Sequence, residues 1–169
     1  IPDGLRLTAI DCGTSQPGHR EKFNLVRTAT FMGRLLIDRI VRHEGLLAEQ
    51  WDGHLSRVSV NDFVEQLRDR LPTKMLGREF LDRFGETGDR LTRIEPGHLY
   101  KIRSRTEHHI YEHTRSRQFV EAISRGMRNG DRSVFVDAGN SMNASHWSCG
   151  QRCGMGSVPA NSLVNALRK

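Results

Sequence analysis

The segment from residue 118 to residue 137, QFVEAISRGMRNGDRSVFVD, constrains the fold more than any other part of the chain. Two short apolar runs within it, residues 119–123 and 133–137, each predict a half-buried β-strand with one apolar face. Between the runs, Asn129-Gly130 favours the positive φ that a tight hairpin turn requires. The sequence therefore predicts a β-hairpin over residues 118–137.

Three arginines surround the predicted turn: Arg125, Arg128 and Arg132. A guanidinium group is a poor element of a hydrophobic core, but it pairs bidentately with phosphate. The tip of the predicted hairpin is therefore suited to contact a polyanion.

The charge of the chain also indicates a polyanionic partner. The formal net charge is +6, and 22 of the 26 basic residues are arginines. Residues 1–100 are neutral, with 15 basic and 15 acidic groups, so the whole excess lies in residues 101–169. Arginine stacks on bases and binds phosphates, and we therefore expect the C-terminal part to face RNA.

Apolar spacing predicts three helices in the first half of the chain. Residues 28–44 repeat apolar positions every three or four residues and stop at Gly45. Residues 59–71 follow the same pattern, with Ser59 as the capping residue. The third predicted helix covers residues 73–84.

The remaining elements complete the predicted fold. Residues 91–94 and 99–102 are expected to pair as short strands. Residues 138–169 are rich in Gly, Ser and Asn, with one short helix expected where Val158, Leu163, Val164 and Leu167 recur. The prediction is an α+β fold with about three helices packed on a small antiparallel sheet and an extended C-terminal tail. The expected organisation is an N-terminal extension (1–22), an α+β domain (23–137) and a C-terminal extension (138–169).

Two Asp-x-Gly segments leave an enzymatic alternative open. Asp11-Cys-Gly-Thr-Ser15 and Asp137-Ala-Gly-Asn-Ser141 each follow an apolar run. Paired turns of this kind hold ATP phosphates in sugar kinases, and the second segment is similar to one in thiamine-diphosphate enzymes. The sequence contains no GxxxxGK[ST] or GxGxxG loop. The alternative is an enzyme fragment that binds a nucleotide or thiamine diphosphate through these two turns.

A second open alternative is a zinc site in the tail. His146, Cys149 and Cys153 have the right donor atoms, but a structural zinc site needs four ligands. Cys12 is distant in sequence, and the odd number of cysteines argues against a disulfide framework. These three residues are weak metal candidates, and we expect no bound metal. A soluble adaptor with a zinc-organised tail remains the third interpretation.

Two segments together resemble the bacterial-type large-subunit ribosomal protein family seventeen. Arg34-Leu-Leu-Ile-Asp-Arg-Ile-Val-Arg-His-Glu44 is similar to the end of the family's first helix. Gly126-Met-Arg-Asn-Gly-Asp131, followed by the apolar run to Asp137, is similar to its C-terminal hairpin. Phe63–Leu67 looks like part of its second helix, so the resemblance covers residues 28–137 in the right order.

The resemblance implies a structural constituent of the large ribosomal subunit, without catalysis or a cofactor. Its partners would be ribosomal RNA and neighbouring large-subunit proteins, and no apolar run is long enough to span a membrane. The added terminal segments resemble those of a divergent organellar member, which implies a mitochondrial ribosome in the matrix. The expected RNA contacts are arginines of the first helix and of the hairpin region: Arg34, Arg39, Arg42, Arg115, Arg117, Arg125, Arg128 and Arg132.

Overall fold

Helices dominate the part of the chain that the computed structural model describes, which is residues 6, 8–13, 18–47, 50–130 and 132–168. Within these residues lie six α-helices: α1 His19–Glu44, α2 Val60–Asp62, α3 Gly77–Phe84, α4 Ile102–Asn129, α5 Phe135–Ser148 and α6 Val158–Leu167. A sheet of two strands, β1 Met75–Leu76 and β2 Leu99–Tyr100, completes the described elements. The predicted α+β fold is therefore wrong, because the sheet is too small to support a layer of helices.

Helix α1 confirms the first predicted helix and starts earlier than expected. Its inward stripe follows the 3.6-residue period: Thr28, Ala29, Met32, Gly33, Leu36, Ile37 and Val41 are buried. The helix ends at Gly45, which has a φ of 69° and donates its backbone N–H to the Val41 carbonyl. Glycine adopts this left-handed conformation more easily than other residues do, and Gly45 therefore predicts the end of α1 correctly.

The second predicted helix is present as a composite segment. Ser59 caps it, because the Ser59 hydroxyl accepts a hydrogen bond from the Asp62 backbone N–H at 3.0 Å. After α2 the chain is π-helical over Phe63–Leu67 and 3₁₀-helical over Arg68–Arg70. The third predicted helix is confirmed as α3, although residues 75–76 before it form a strand.

The small sheet does not use the predicted pair of strands. Strands β1 and β2 are antiparallel, with Met75 opposite Tyr100. The backbone N–H of Gly77 also donates to the His98 carbonyl at 2.8 Å, and this extends the pairing into the start of α3. The strand predicted at residues 91–94 is wrong because residues 75–76 occupy the position beside β2.

The hydrophobic core lies between α1, residues 55–71, α3 and the start of α4. Phe63, Phe80, Ile102 and Ile110 are completely buried there, together with Met32 of α1. Each large apolar side chain buried in this way contributes about 1.5–3 kcal/mol. This cluster positions the first half of α4.

The predicted β-hairpin over residues 118–137 is a helical hairpin. Phe119 and Ile123 are half-buried and Ala122 is buried, which is the spacing of a helix face rather than of a strand. Gly130 has the positive φ that was predicted, 67°, but it ends α4 instead of forming the turn of a β-hairpin. Gly126 is buried close to the Phe135 ring, and a Cβ there would lie 2.5 Å from that ring. Helix α5 therefore folds back on α4.

The predicted extended C-terminal tail is also wrong. Helix α5 runs through residue 137, a π-helical turn covers Cys149–Cys153, and α6 follows. The short helix expected around Val158 is confirmed as α6. Its first turn contains a proline, and the Ser157 hydroxyl accepts from the Ala160 backbone N–H at 3.3 Å. A serine cap followed by an early proline is a strong helix start, and it outweighs the polar composition of the segment.

None of the helices in the described ranges is long and apolar enough to cross a membrane.

Candidate functional site

Polar side chains line the contact between α4 and α5, which we call the α4–α5 seam. Its residues are Glu107, His108, Glu112 and Arg115 of α4, Ser145 and Ser148 of α5, and Arg152 of the π-helical turn. Glu107 pairs with Arg152, His108 with Ser148 and Glu112 with Ser145. Residue numbers rise along α4 while those of the partners fall, so α4 and α5 are antiparallel. The seam thus joins residues about 33 to 45 positions apart in sequence.

Glu112 is at the centre of the seam. Its carboxylate accepts a hydrogen bond from the Ser145 hydroxyl and two from Arg115, at 3.0 and 2.7 Å. Burial by itself raises the pKa of Glu112, but the bonds from Ser145 and Arg115 outweigh it, so its pKa lies below the ordinary value. Glu112 is therefore ionised near neutral pH and acts as an acceptor, not as a general acid.

His108 is the second polar group of the seam. Its Nδ1 lies 2.9 Å from the Oγ of Ser148, which is completely buried. Burial lowers the pKa of His108, against the opposing attraction of Glu112. A neutral imidazole bonded to a buried hydroxyl fixes the position of α5 without adding charge.

Arg152 closes the seam at the other end. Its Nη2 lies 3.1 Å from a carboxylate oxygen of Glu107, and both side chains are largely buried. The guanidinium lies 5.4 Å from the centre of the Tyr111 ring and 5.0 Å from that of Trp147. Its buried Nε has no hydrogen-bond partner among the described residues. Arg152 is thus held by one carboxylate and two aromatic faces.

A cleft of about 420 Å³ opens beside the centre of the seam. Its lining includes the polar side chains of Glu112, Arg115 and Ser145 and the apolar side chains of Phe119 and Met142. Small-molecule sites have volumes of about 300–1,000 Å³ and the same mixture of apolar lining and a few polar groups. The cleft has the size and chemistry to hold a small polar molecule.

We expect Glu112→Gln to lower the free energy of unfolding by about 1–2 kcal/mol, because the partly buried Arg115 loses its counter-charge. Urea denaturation followed by circular dichroism measures this change. Glu121→Gln is the matched control: Glu121 is exposed on the same helix, and we expect a change within about 0.5 kcal/mol. Equal stabilities for the two variants would contradict a stabilising seam.

The predicted RNA-contacting arginines of α1 have three different environments. Arg34 is half-buried and donates to the backbone carbonyls of Gly53 and Thr87, at 3.3 and 3.5 Å. Arg39 is exposed and lies over the Phe84 ring. Arg42 is exposed and forms an ion pair with Asp38 one turn earlier. Arg39 and Arg42 thus remain accessible to a polyanion, whereas Arg34 points into the fold.

The later predicted contacts, apart from Arg132, lie along α4, with Arg125 and Arg128 in its last turns before Gly130. Arg115 is partly buried in the seam, and Arg125 forms an ion pair with Asp137 of α5 at 3.5 Å. Arg117 and Arg128 are exposed. The side chain of Arg132 lies outside the described residues. Arg125 and Arg128 therefore remain near the turn between α4 and α5, and RNA binding by the accessible arginines stays a prediction.

The weak metal candidates do not converge. His146 is hydrogen-bonded through Nε2 to the side chain of Asn161, at 2.9 Å. Burial raises the pKa of Cys149 and raises that of Cys153 to about 11, which disfavours the thiolate that a metal requires. In the part of the chain that is described, no group of three or more His, Cys, Asp or Glu side chains is placed to hold a metal ion.

The two Asp-x-Gly segments do not form a pair of turns. Asp137-Ala-Gly-Asn-Ser141 lies within α5, so it does not follow a strand and does not form a phosphate-binding turn. In the first segment, the Asp11 carboxylate accepts from the Gly13 backbone N–H at 2.8 Å, which makes a local turn. Thr14 and Ser15 lie outside the described residues. The nucleotide-binding alternative therefore has no support from the second segment, residues 137–141, which is helical.

The seam residues His108, Glu112, Ser145, Ser148 and Arg152 were not identified from the sequence as a site. Their contacts join segments that are far apart, so local spacing gives no signal for them.

Comparison with known proteins gives one informative similarity. No family model and no solved structure matches the chain. The chain is similar to the L-arabinokinase of Arabidopsis thaliana, with 24% identity over 190 aligned residues. The alignment covers 99% of this chain and 18% of that enzyme, so the chain spans about a fifth of its relative's length. Similarity to an enzyme weighs against the expectation of a protein without any catalytic role.

Proposed function

We propose that this chain contributes the helical part of a carbohydrate kinase that acts on a pentose. The observation that carries the proposal is the alignment with L-arabinokinase over 99% of the chain. A chance similarity of one amphipathic helix would cover a short segment, whereas this alignment includes the core, the seam and α6. Because the aligned part is 18% of that enzyme, the proposed role is that of one part among several.

The surface of α5 and α6 supports a role within a larger assembly. Large apolar side chains there are more than half exposed: Val136, Met142, Trp147, Val158 and Leu167. A second cleft of about 730 Å³ lies between the two helices and is lined by Met142 and Leu167. Val136, Met142 and Leu167 line this cleft together, and apolar exposure of this kind is typical of a surface that another part of a protein covers. In the proposed kinase, that surface would face the remaining parts of the enzyme.

The α4–α5 seam has a positioning role in this proposal. Glu112 and His108 hold α5 against α4 through buried polar contacts, and these contacts specify one orientation more strictly than apolar packing alone. The exposed apolar surface of α5 is thereby fixed relative to the core.

The proposal predicts sugar-dependent ATP consumption. The natural protein that carries this chain should release ADP from ATP and Mg²⁺ when L-arabinose is added, measured in a coupled assay against the rate without sugar. D-Xylose and D-galactose are the comparison sugars, because they share hydroxyl groups with L-arabinose but differ in configuration or length. No increase with any sugar, in a protein shown to be folded by circular dichroism, would refute the carbohydrate kinase proposal.

Binding of ribosomal RNA in the mitochondrial large subunit is the second proposal. It is favoured by the confinement of the excess positive charge to residues 101–169 and by the exposure of Arg117 and Arg128. The loss of the predicted hairpin removes one of the segments on which the family resemblance depended. The ADP-release assay distinguishes the two proposals, since an RNA-binding structural protein has no sugar-dependent turnover.

A further inference from the structure

A basic cleft lies where the first turns of α1 face β2 and the start of α4, and it shares no lining residue with the cleft beside the α4–α5 seam. Its volume is about 270 Å³. Three cationic side chains line it: Lys22, Lys101 and Arg105. His98 and two residues of the turn beyond α5, Cys153 and Gly154, complete this part of the lining. We call this the basic cleft.

The positive charge of the basic cleft is not neutralised by the described residues. No Asp or Glu of the described ranges lines it. Neighbouring arginines differ in this respect, because Arg103 forms an ion pair with Asp69 and Arg152 forms one with Glu107. The excess of positive charge is therefore local to the cleft.

Arg105 is the central group of the basic cleft. It is half-buried, and burial lowers its pKa. Its Nη2 lies close to Gly154, since a Cβ at that position would be 3.6 Å away. The adjacent Cys153 thiol has a pKa of about 11 as a result of burial, so it remains neutral and does not balance the guanidinium. A partly desolvated guanidinium without a counter-ion is stabilised by any anion that enters the cleft.

We propose that the basic cleft binds a phosphate group, either as free phosphate or as a small phosphate monoester. A guanidinium presents two parallel N–H donors to phosphate oxygens, and the ammonium groups of Lys22 and Lys101 supply point charges at the rim. The volume admits a phosphate with a few additional carbon atoms, and Leu25 and Leu99 provide an apolar surface for them. This inference does not rest on the proposed kinase role, because it needs only the charge and shape of the cleft.

Titration with inorganic phosphate tests the inference on the full chain. At constant ionic strength, phosphate should shift the backbone amide signals of Tyr100, Lys101, Arg105 and Gly154 in two-dimensional NMR, whereas chloride should not. Arg105→Gln should weaken the affinity by about tenfold or more, as expected for the loss of a charge-assisted pair. Lys101→Gln is a second variant: Lys101 is exposed, so we expect its replacement to preserve the fold and to weaken phosphate binding.

Arg117→Gln is the matched control for charge. Arg117 is exposed on the same helix, about 18 Å along the axis from Arg105 at 1.5 Å per residue. The control should keep its phosphate affinity within about twofold, which is the range expected for screened surface charge. Equal weakening in Arg105→Gln and Arg117→Gln, or identical spectra in phosphate and chloride, would overturn the inference.

A comparison of two ligands assigns the source of the phosphate group. Tighter binding of glycerol 3-phosphate than of inorganic phosphate would support a phosphorylated metabolite as the natural ligand. Tighter or equal binding of inorganic phosphate would support the free anion. Binding of neither would refute the site, and it would leave the result of the ADP-release assay unaffected.

Discussion

Replacing Gly33 by alanine should destabilise the protein by about 2 kcal/mol. Gly33 is buried where α1 crosses α4, and an added Cβ would lie 1.8 Å from the Thr106 Oγ1 and 3.0 Å from its Cβ. Thr106 is completely buried and its hydroxyl donates to the Ile102 carbonyl, so it cannot rotate away without losing that bond. Overpacking of this kind costs about 1–3 kcal/mol or more, and the better helix propensity of alanine offsets about 1 kcal/mol. Urea denaturation measures the difference.

A matched control and a double-mutant cycle make the test specific. Gly139→Ala is the same chemical change inside α5, where a Cβ would meet no atom within 4 Å. We expect this control to be neutral or to stabilise by up to about 1 kcal/mol. In a Thr106→Ala background, Gly33→Ala should cost much less than in the wild type, because the clashing hydroxyl and methyl groups are gone. Additive effects in the cycle would show that Gly33 and Thr106 are not in close contact.

Local signals predicted the elements that local interactions determine. The stop of α1 at Gly45 and the cap of α2 at Ser59 depend on a few neighbouring residues, and both are present. The short helix after Ser157 was also expected, and it carries its own cap and early proline. In these places propensity, capping and burial all favour the same structure.

The hairpin prediction failed because a five-residue window cannot separate the two periods. Residues 119–123 form a short apolar run interrupted by Glu121, which also suits a strand, yet Phe119, Ala122, Ile123 and Gly126 lie on one face of a helix. Asn129-Gly130 requires a positive φ in either structure, and here Gly130 ends a helix. Burial of α4 against α1 and α5 decided between the two, and that packing is not visible from the sequence of the segment alone.

The candidate sites could not be predicted for a related reason. The seam connects Glu112 with Ser145 and His108 with Ser148, and the basic cleft brings Lys22 close to Arg105. These contacts depend on how long helices are placed relative to one another. The sequence did indicate the excess of arginine in the C-terminal part, but it could not separate Arg152, which is ion-paired, from Arg105, which has no ion pair among the described residues.

Replacing Asp89 by asparagine should cost about 3 kcal/mol at pH 7, because Asp89 anchors the loop between α3 and β2 to α1. Its side chain is 2% exposed and accepts two hydrogen bonds from Arg27, both at 2.8 Å. The Thr92 hydroxyl and the Leu91 backbone N–H donate to the same carboxylate at 2.5 and 3.2 Å. Removal of one partner from a buried ion pair costs about 3–5 kcal/mol, and the partial exposure of Arg27 places this case at the lower end.

The same residue should make stability depend on pH in the acid range. The hydrogen bonds from Arg27 hold the pKa of Asp89 far below its ordinary value, although burial opposes them. Asp89 therefore takes up a proton at a higher pH in the unfolded chain than in the folded protein. Its contribution to the free energy of unfolding is complete above about pH 5 and declines as the pH falls through about 4.

Denaturation of wild type and Asp89→Asn from pH 7 to pH 3 should give a stability difference that shrinks below about pH 4. Asp82→Asn, at an exposed position without an ion pair among the described residues, should differ from the wild type by less than about 0.5 kcal/mol throughout. A difference for Asp89→Asn that stays constant down to pH 3 would show that the carboxylate charge is not what stabilises the loop.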